Sequence, residues 1–308
     1  MKPKNGINHF NLILKKRSIM SVFFFTFNNH ILLMKQYFIF ILILTMLFSC
    51  KKESDTPSSG GNTINPVGDP PTVYTQKILC EMFTGEWNPN CPTGADTLKA
   101  MLSLDSNVIA ACIHQGDWLA ITPFFDALNI HLGGVNGFPR AAFNRLPATK
   151  GSQLDSITYS IFNWRLNLEE LLLKKQTDCG LAISSKESND NLEMSVFIGY
   201  NDSLLKRTRL TVYLIEDSVL AQNQLNADTN YIHNQVLRKV LTSYTGDSVA
   251  MLDGKMITKN YSMTLNGYYN KKSNLKIVAF INIIGDDFKT NEVLNVQEAS
   301  LNQVKKWD

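Results

Sequence analysis

The pattern of apolar and polar positions changes once along the chain. Between residues 72 and 175, short apolar runs alternate with stretches of helical period. From residue 178 onward, alternation with a period of two dominates, as half-buried strands require. In the first half, residues 75–83 read as a strand and residues 92–104 as a helix. Pro92 falls near that helix's first turn, where its missing N–H costs little. Residues 107–113 form a near-continuous apolar run, as expected of a parallel strand buried on both faces. Thr122-Pro123 reads as an N-cap followed by Pro at N1, opening a helix to about His131 that Gly133 and Gly134 end. Residues 141–144 read as a short strand. Leu154, Ile157, Ile161, Trp164, Leu168 and Leu171 recur at helical spacing and predict one long amphipathic helix over 152–175. Strands alternating with helices imply a βαβ unit and a three-layer α/β sheet.

In the second half, strands are expected at 192–200, 208–216, 256–265, 275–284 and 293–301. Asn189-Asp190-Asn191 and Asn266-Gly267 supply turn signals. Repeated strands with such turns predict an all-β sandwich of the immunoglobulin-like kind. The expected division is an α/β domain over 72–176 and the sandwich over 177–308. There is no internal repeat, phosphate-binding loop, dinucleotide fingerprint or zinc-type cysteine pair.

Upstream of these elements, Lys35 precedes an apolar run from Tyr37 to Phe48 that only Thr45 interrupts. Leu47-Phe48-Ser49-Cys50 then resembles a lipobox. Charge, short apolar core and small residue make residues 34–49 a lipoprotein signal peptide, with Cys50 the lipidated first residue of the mature chain. An apolar core of about a dozen residues falls short of the roughly 20 that a membrane span needs. Residues 1–33 precede a complete signal peptide with its own methionine. They read as an upstream extension from a mis-assigned start, with translation beginning at Met34. Residues 50–71, rich in Ser, Gly, Asn and Pro, read as a flexible tether between lipid and folded body. Within it, Lys51-Lys52-Glu53 resembles the surface-export tags of some Gram-negative lipoproteins. The expected location is the cell envelope, at the periplasmic face or outer surface of the outer membrane.

Removing the leader reverses the charge. Six of the chain's 30 basic residues and none of its 27 acidic ones precede Cys50. The mature chain therefore has 24 basic against 27 acidic residues, a net of −3. No clustered basic face marks a nucleic-acid footprint, so nucleic acid is not an expected partner. Cys80, Cys91, Cys112 and Cys179 remain, in a compartment that permits disulfides, and their spacing leaves all three full pairings open. Cys80 and Cys112 sit inside apolar runs and read as small buried hydrophobes.

Candidate chemistry centres on residues 83–92, Phe-Thr-Gly-Glu-Trp-Asn-Pro-Asn-Cys-Pro. They resemble a thioredoxin-type site, Trp-Cys-x-x-Cys at a strand-to-helix turn, with Asn88 where the first sulfur belongs. The first cysteine of such a site is the attacking thiolate, and an amide cannot attack a disulfide. Gly137-Phe138-Pro139, followed by 141–145, matches the second thioredoxin-like signature, in which Pro139 is the cis-proline that faces the cysteine pair. The resemblance implies a groove formed by Trp87, Asn88, Pro89, Cys91, Phe138 and Pro139 that holds an extended protein or peptide by strand-like pairing. The alternative is a thiol-disulfide oxidoreductase or monothiol protein working through Cys91. Asn88 and the helix N-terminus would then lower the thiol pKa, and Cys80, Cys112 or a partner would lend a second sulfur. Thioredoxins also often bury a carboxylate before the motif, and Met82 fills that position here. His114 and Asp117 read as a hydrogen-bonded loop pair, since a catalytic zinc needs about three protein ligands and no third is near. Glu169 and Glu170 read as a solvated helix face. No metal or cofactor is expected.

Three segments together are more specific: residues 81–87, then Gly137-Phe138-Pro139 with Asn144-Arg145, then residues 231–238, Tyr-Ile-His-Asn-Gln-Val-Leu-Arg. In these the chain resembles the twenty-eight-kilodalton outer-membrane-protein family of bacterial lipoproteins, from about Val73 to the C-terminus. The resemblance implies a thioredoxin-like domain at 72–176, a β-sandwich at 177–308 and a lipid anchor. Many members keep both cysteines, and this chain departs at Asn88. In the third segment His233 and Arg238 are expected to fix a loop against Glu216 or Asp217.

Overall fold

The computed structural model describes residues 66–151, 154–201, 207–249 and 256–308. The expected upstream extension, signal peptide, Cys50 and residues 51–65 of the tether lie outside the described residues. Residues 66–71, expected as tether, belong to the folded body: Val67 is buried against Ala182 and Phe197.

Strands β1 (Tyr74–Thr75) and β2 (Ile78–Thr84) precede helix α1 (Cys91–Leu104). Next come β3 (Val108–His114), α2 (Thr122–His131), β4 (Arg140–Phe143), β5 (Tyr159–Ser160) and α3 (Ile161–Leu171). From there the described chain is almost all strand: β6 (Gln176–Thr177), β7 (Cys179–Ser188), β8 (Asn191–Tyr200), β9 (Thr208–Glu216), β10 (Val219–Leu220), β11 (Ile232–His233) and β12 (Val236–Val240). The last strands are β13 (Asp247–Val249), β14 (Ile257–Thr264), β15 (Leu275–Ile283), β16 (Val293–Ser300) and β17 (Val304–Lys305).

Most strands join one nine-stranded sheet, ordered β16-β15-β9-β12-β3-β2-β4-β5, with β13 also on β9. The expected boundary at 176/177 does not divide this sheet. β12 runs parallel to β3 and antiparallel to β9, so the strands of the second half continue the sheet that the first half begins. A physical reason lies in β3, whose seven residues are all buried. Such a strand must be paired on both edges as well as covered on both faces.

Side-chain alternation sends each strand's residues to two cores. On one face Leu79, Phe83, Ile109, Ala111, Tyr213, Val278 and Phe280 pack beneath Phe124, Phe125 and Leu128 of α2. The opposite face is covered in two portions. Cys80, Met82, Ala110 and Cys112 meet Leu98 and Met101 of α1 and Trp164 and Leu168 of α3. Val212, Leu214, Ile277 and Ala279 meet Leu181, Ile183, Val196 and Ile198 of a four-stranded sheet ordered β14-β8-β7-β17. The second portion is the expected β-sandwich. The long sheet also curls, since Val293 donates its N–H to the Asn144 carbonyl (2.8 Å) and Lys77 donates its N–H to Asn295 Oδ1 (2.9 Å).

The helix expected over 152–175 is shorter, because the chain first completes a strand. Tyr159 pairs with Ala141, Ser160 has an extended backbone, and helical geometry holds only from Ile161 to Leu171. Ile157, placed on the helix by its spacing, instead enters the core beneath α2. Ile121 rather than Thr122 is the N-cap of α2. The expected strand at 75–83 breaks into β1 and β2. Besides several strands of two or three residues, two strands of five residues or more escaped the sequence reading. β7 is polar over its second half, and β12 is a five-residue strand interrupted by Arg238-Lys239.

A carboxylate is buried before the motif after all, at Glu81 rather than at the Met82 position. Arg145 binds it with two nitrogens at 2.8 Å, and the Tyr213 hydroxyl donates to it at 2.8 Å. Both charged side chains are fully buried. Removing one partner of such a pair leaves an uncompensated interior charge and costs about 3–5 kcal/mol. Arg145→Met is therefore expected to lower unfolding stability by about that amount in urea titration, and Glu81→Leu/Arg145→Met to recover most of it.

Candidate functional site

The motif loop spans the end of β2 and the start of α1. Gly85 lacks a Cβ where one would fall 2.5 Å from Trp87 Nε1 and 2.8 Å from the Gln115 carbonyl. That space lets the indole N–H reach the Gln115 carbonyl at 2.6 Å. Trp87 is 43% exposed and stands edge-on to Phe138, with ring centroids 5.3 Å apart. Asn88 makes the local turn: its Oδ1 accepts from the Asn90 N–H at 2.9 Å, and its own carbonyl accepts from the Cys91 N–H. Its Nδ2 donates to the Phe138 carbonyl at 3.2 Å. The Asn88 amide thus ties the motif loop to the segment before Pro139. The Phe138–Pro139 peptide is cis. Gly94 of α1 lies against that proline, where a Cβ would come within 2.7 Å of the ring.

Cys91 opens α1 but is 1% exposed. Burial pushes its pKa up, outweighing hydrogen bonds from Thr84 and the Gly85 backbone that favour the thiolate. The net shift is therefore upward, opposite to the lowering expected from the helix N-terminus and Asn88. Cys80, Cys91, Cys112 and Cys179 are all buried free thiols. Burial raises Cys80 well above its ordinary value and Cys112 to about 12.

Beside Phe138 and Pro139 a cleft of ≈ 630 Å³ opens between α1 and α3, lined also by Asn90, Thr93, Thr97 and the Ser160-Ile161-Phe162 turn. Phe162 is 86% exposed. Of the six groove residues expected from sequence, Phe138 and Pro139 line this cleft. Trp87 packs on the Phe138 ring, Asn88 holds the Phe138 carbonyl, Cys91 lies buried, and the Pro89 carbonyl accepts from Asn226 Nδ2 at 3.1 Å.

Glu86, on the motif loop, is the polar centre of this region. Its Oε1 accepts from Trp118 Nε1 (3.2 Å), the Gln222 N–H (3.0 Å) and His233 Nε2 (3.2 Å). Its Oε2 accepts from the Asn223 N–H at 3.1 Å. His233 thus pairs with Glu86, not with the expected Glu216 or Asp217. Arg238 does meet Glu216, at 3.4 Å, and its guanidinium lies 5.7 Å from the Trp118 ring centre. His114 and Asp117 form the expected pair, Nδ1 to Oδ2 at 2.7 Å. Asp117 Oδ2 also accepts the Glu86 N–H at 2.9 Å. Burial opposes the Asp117 charge, but the His114 bond and two backbone N–H groups hold its pKa below the ordinary carboxylate value. Glu169 meets Arg165 on the exposed face of α3, as a solvated pair.

Three features lay beyond the sequence reading: the role of Glu86, the exposed Phe162, which falls inside the longer helix expected over 152–175, and the hairpin over 219–233. The available signals were the adjacent Ile161-Phe162 at a helix start and the motif-like run 231–238 that follows the loop.

The model of the outer membrane protein Omp28 family matches residues 129–305. Among solved structures, HBP35 of Porphyromonas gingivalis is similar over 76% of this chain and 77% of its own, at 19% identity and a TM-score of 0.67, which is a likeness of fold. A crystal structure of a domain of the outer membrane lipoprotein Omp28 from Porphyromonas gingivalis aligns with 40% of this chain and 94% of its own, at 20% identity and a TM-score of 0.27. No curated protein matches the sequence. With the family model covering more than half of its length, the chain belongs to the outer membrane protein Omp28 family and is a protein of the cell envelope, at the outer membrane.

Proposed function

We propose that this envelope protein is lipid-anchored through Cys50 and non-catalytic, and that a thioredoxin-like first half holds protein or peptide partners. The observation that carries the reading is the pairing of a disabled thiol site with an open apolar cleft. Asn88 supplies no nucleophile, and Cys91 is buried with a raised pKa, so the attacking thiolate is missing. The cleft beside Phe138-Pro139 nevertheless presents Ile161 and the exposed Phe162 ring, with Thr93, Thr97, Asn90 and Ser160 as polar neighbours. An aromatic wall with a few polar groups suits an extended polypeptide whose side chains enter pockets while its backbone finds hydrogen bonds.

Fluorescence anisotropy with unstructured peptides carrying apolar side chains at alternate positions tests the binding. Phe138→Ala and Phe162→Ala are each expected to weaken it about tenfold or more, the loss of one buried aromatic contact. Lys186→Ala, on the four-stranded sheet, is expected to leave it unchanged. Equal binding by all three variants refutes the cleft.

Thiol chemistry has its own readout. The native protein is expected to reduce insulin disulfides no faster than buffer. Iodoacetamide at neutral pH is expected to label Cys91 only after unfolding, read by mass spectrometry. Rapid native labelling of Cys91 restores the oxidoreductase reading.

A further inference from the structure

Between β9 and β12 the chain crosses back over the motif loop as a strap. Val219 pairs with His233 and Leu220 with Ile232, so residues 219–233 form a hairpin. The hairpin holds the motif loop by its polar groups. Gln222 and Asn223 donate their N–H groups to the Glu86 carboxylate, and Leu225 donates its N–H to the Glu86 carbonyl at 2.8 Å. Gln224 Nε2 donates to the Asn88 carbonyl at 3.2 Å, and Asn226 Nδ2 to the Pro89 carbonyl. The strap therefore occupies the carbonyls of Glu86, Asn88 and Pro89, in the loop that leads into the cleft wall at Asn90, and free backbone carbonyls are groups that an extended partner can use.

His233 closes the strap at its far end. The groups facing it are Glu86 on the motif loop, His114 at the end of β3, Asp117 just beyond, and Tyr231 on the strap. The His114 ring lies edge-on at 4.8 Å and the Tyr231 ring at 5.0 Å. Arg238 is turned away, onto Trp118 and Glu216. We propose that the 219–233 strap is an acid-released latch on the partner cleft: protonation frees His233 from its pocket, the hairpin lifts, and the carbonyls of Glu86, Asn88 and Pro89 become available to the bound chain. This rests on the cleft reading above.

The sign follows from burial. Desolvation and the neighbouring His114 push the His233 pKa down to about 4 in the closed form. The ring is then neutral, with Nε2–H donating to Glu86. Released into water, it titrates near 6.5. The open form binds the extra proton, so the ratio of open to closed rises as pH falls from 6.5 towards 4, by up to about 300-fold.

Amide hydrogen exchange on the full chain in detergent tests the latch. Protection factors, which remove the intrinsic pH dependence of exchange, are compared for Gln222, Asn223 and Leu225 at pH 7 and pH 5. They are expected to fall about 20-fold, while β9 amides keep theirs. His233→Gln retains a donor and cannot titrate, so its strap protection is expected to stay level. Glu86→Gln is expected to lower strap protection at pH 7 and still show a further fall at pH 5. Level protection in the unmodified chain, or a fall that β9 shares, overturns the latch. Peptide anisotropy on the same samples is expected to tighten at pH 5. Strap protection that falls while peptide affinity stays constant overturns the coupling to the cleft. Absent binding at both pH values refutes the cleft reading instead, and the protection factors still decide the latch.

Discussion

The contact between Glu81 and Arg145 is the constraint on which the rest of the fold depends. Two full charges in an apolar interior are tolerated only when each satisfies the other with good geometry. Arg145 reaches Glu81 from the turn after β4, where Asn144 and Arg145 both take positive φ, and its guanidinium lies 5.0 Å from the Phe280 ring centre. Tyr213 of β9 completes the coordination from the second half of the chain. A slip of β2 by one residue would turn Glu81 to the opposite face, towards α1, and strand both charges. The pair therefore sets the register of β2 against β4 and draws β9 and β15 of the second half over the same core. Asn144 adds a backbone clamp, exchanging hydrogen bonds with Leu79 and accepting from Val293.

That clamp explains how the motif loop and the Phe138–Pro139 segment are held together without a disulfide. β2 ends at the motif loop and β4 begins just after Pro139, so fixing the two strands fixes both walls. The geometry depends on backbone and packing groups: Gly85 against Trp87, Gly94 against Pro139, Asn88 against Phe138. None of these contacts needs a thiol. Asn88 goes further, because its amide donates to the Phe138 carbonyl, a contact that a cysteine sulfhydryl makes only weakly.

Legibility in the sequence followed how local each cause was. β2, β3, β9, β15 and β16 could be read because their apolar content is set by burial on one or two faces. The motif loop, Pro139 and the His114–Asp117 pair could be read because their partners are close in sequence or carried by a recognisable pattern. The single sheet could not, since β12 is only five residues and the join it makes between the halves rests on pairing with β3, more than a hundred residues away. The helix over 152–175 failed for a related reason. Ile157 and Ile161 keep helical spacing, but Tyr159 is committed to β4, and a strand pairing from elsewhere in the chain overrides a local period. Cys91 shows the same in electrostatics: its place at a helix N-terminus is local, while the burial that decides its pKa comes from tertiary packing.

Two buried carboxylates five residues apart show how partner choice separates permanence from reversibility. Glu81 is held by an arginine, which stays charged at every pH a protein survives, so nothing in solution can dissolve that contact short of unfolding. Glu86 is held by a neutral histidine, an indole and two loop amides. Each of those donors is individually modest, and burial pushes the pKa of one, His233, down to about 4, so that its protonation works against the contact. The first carboxylate lies in the core and joins the halves of the sheet. The second lies at the rim, between the motif loop and a hairpin carrying few buried apolar side chains of its own. Placing the irreversible pair where the fold needs it and the reversible set where a surface must open allows the strap to move without loosening the sheet beneath it.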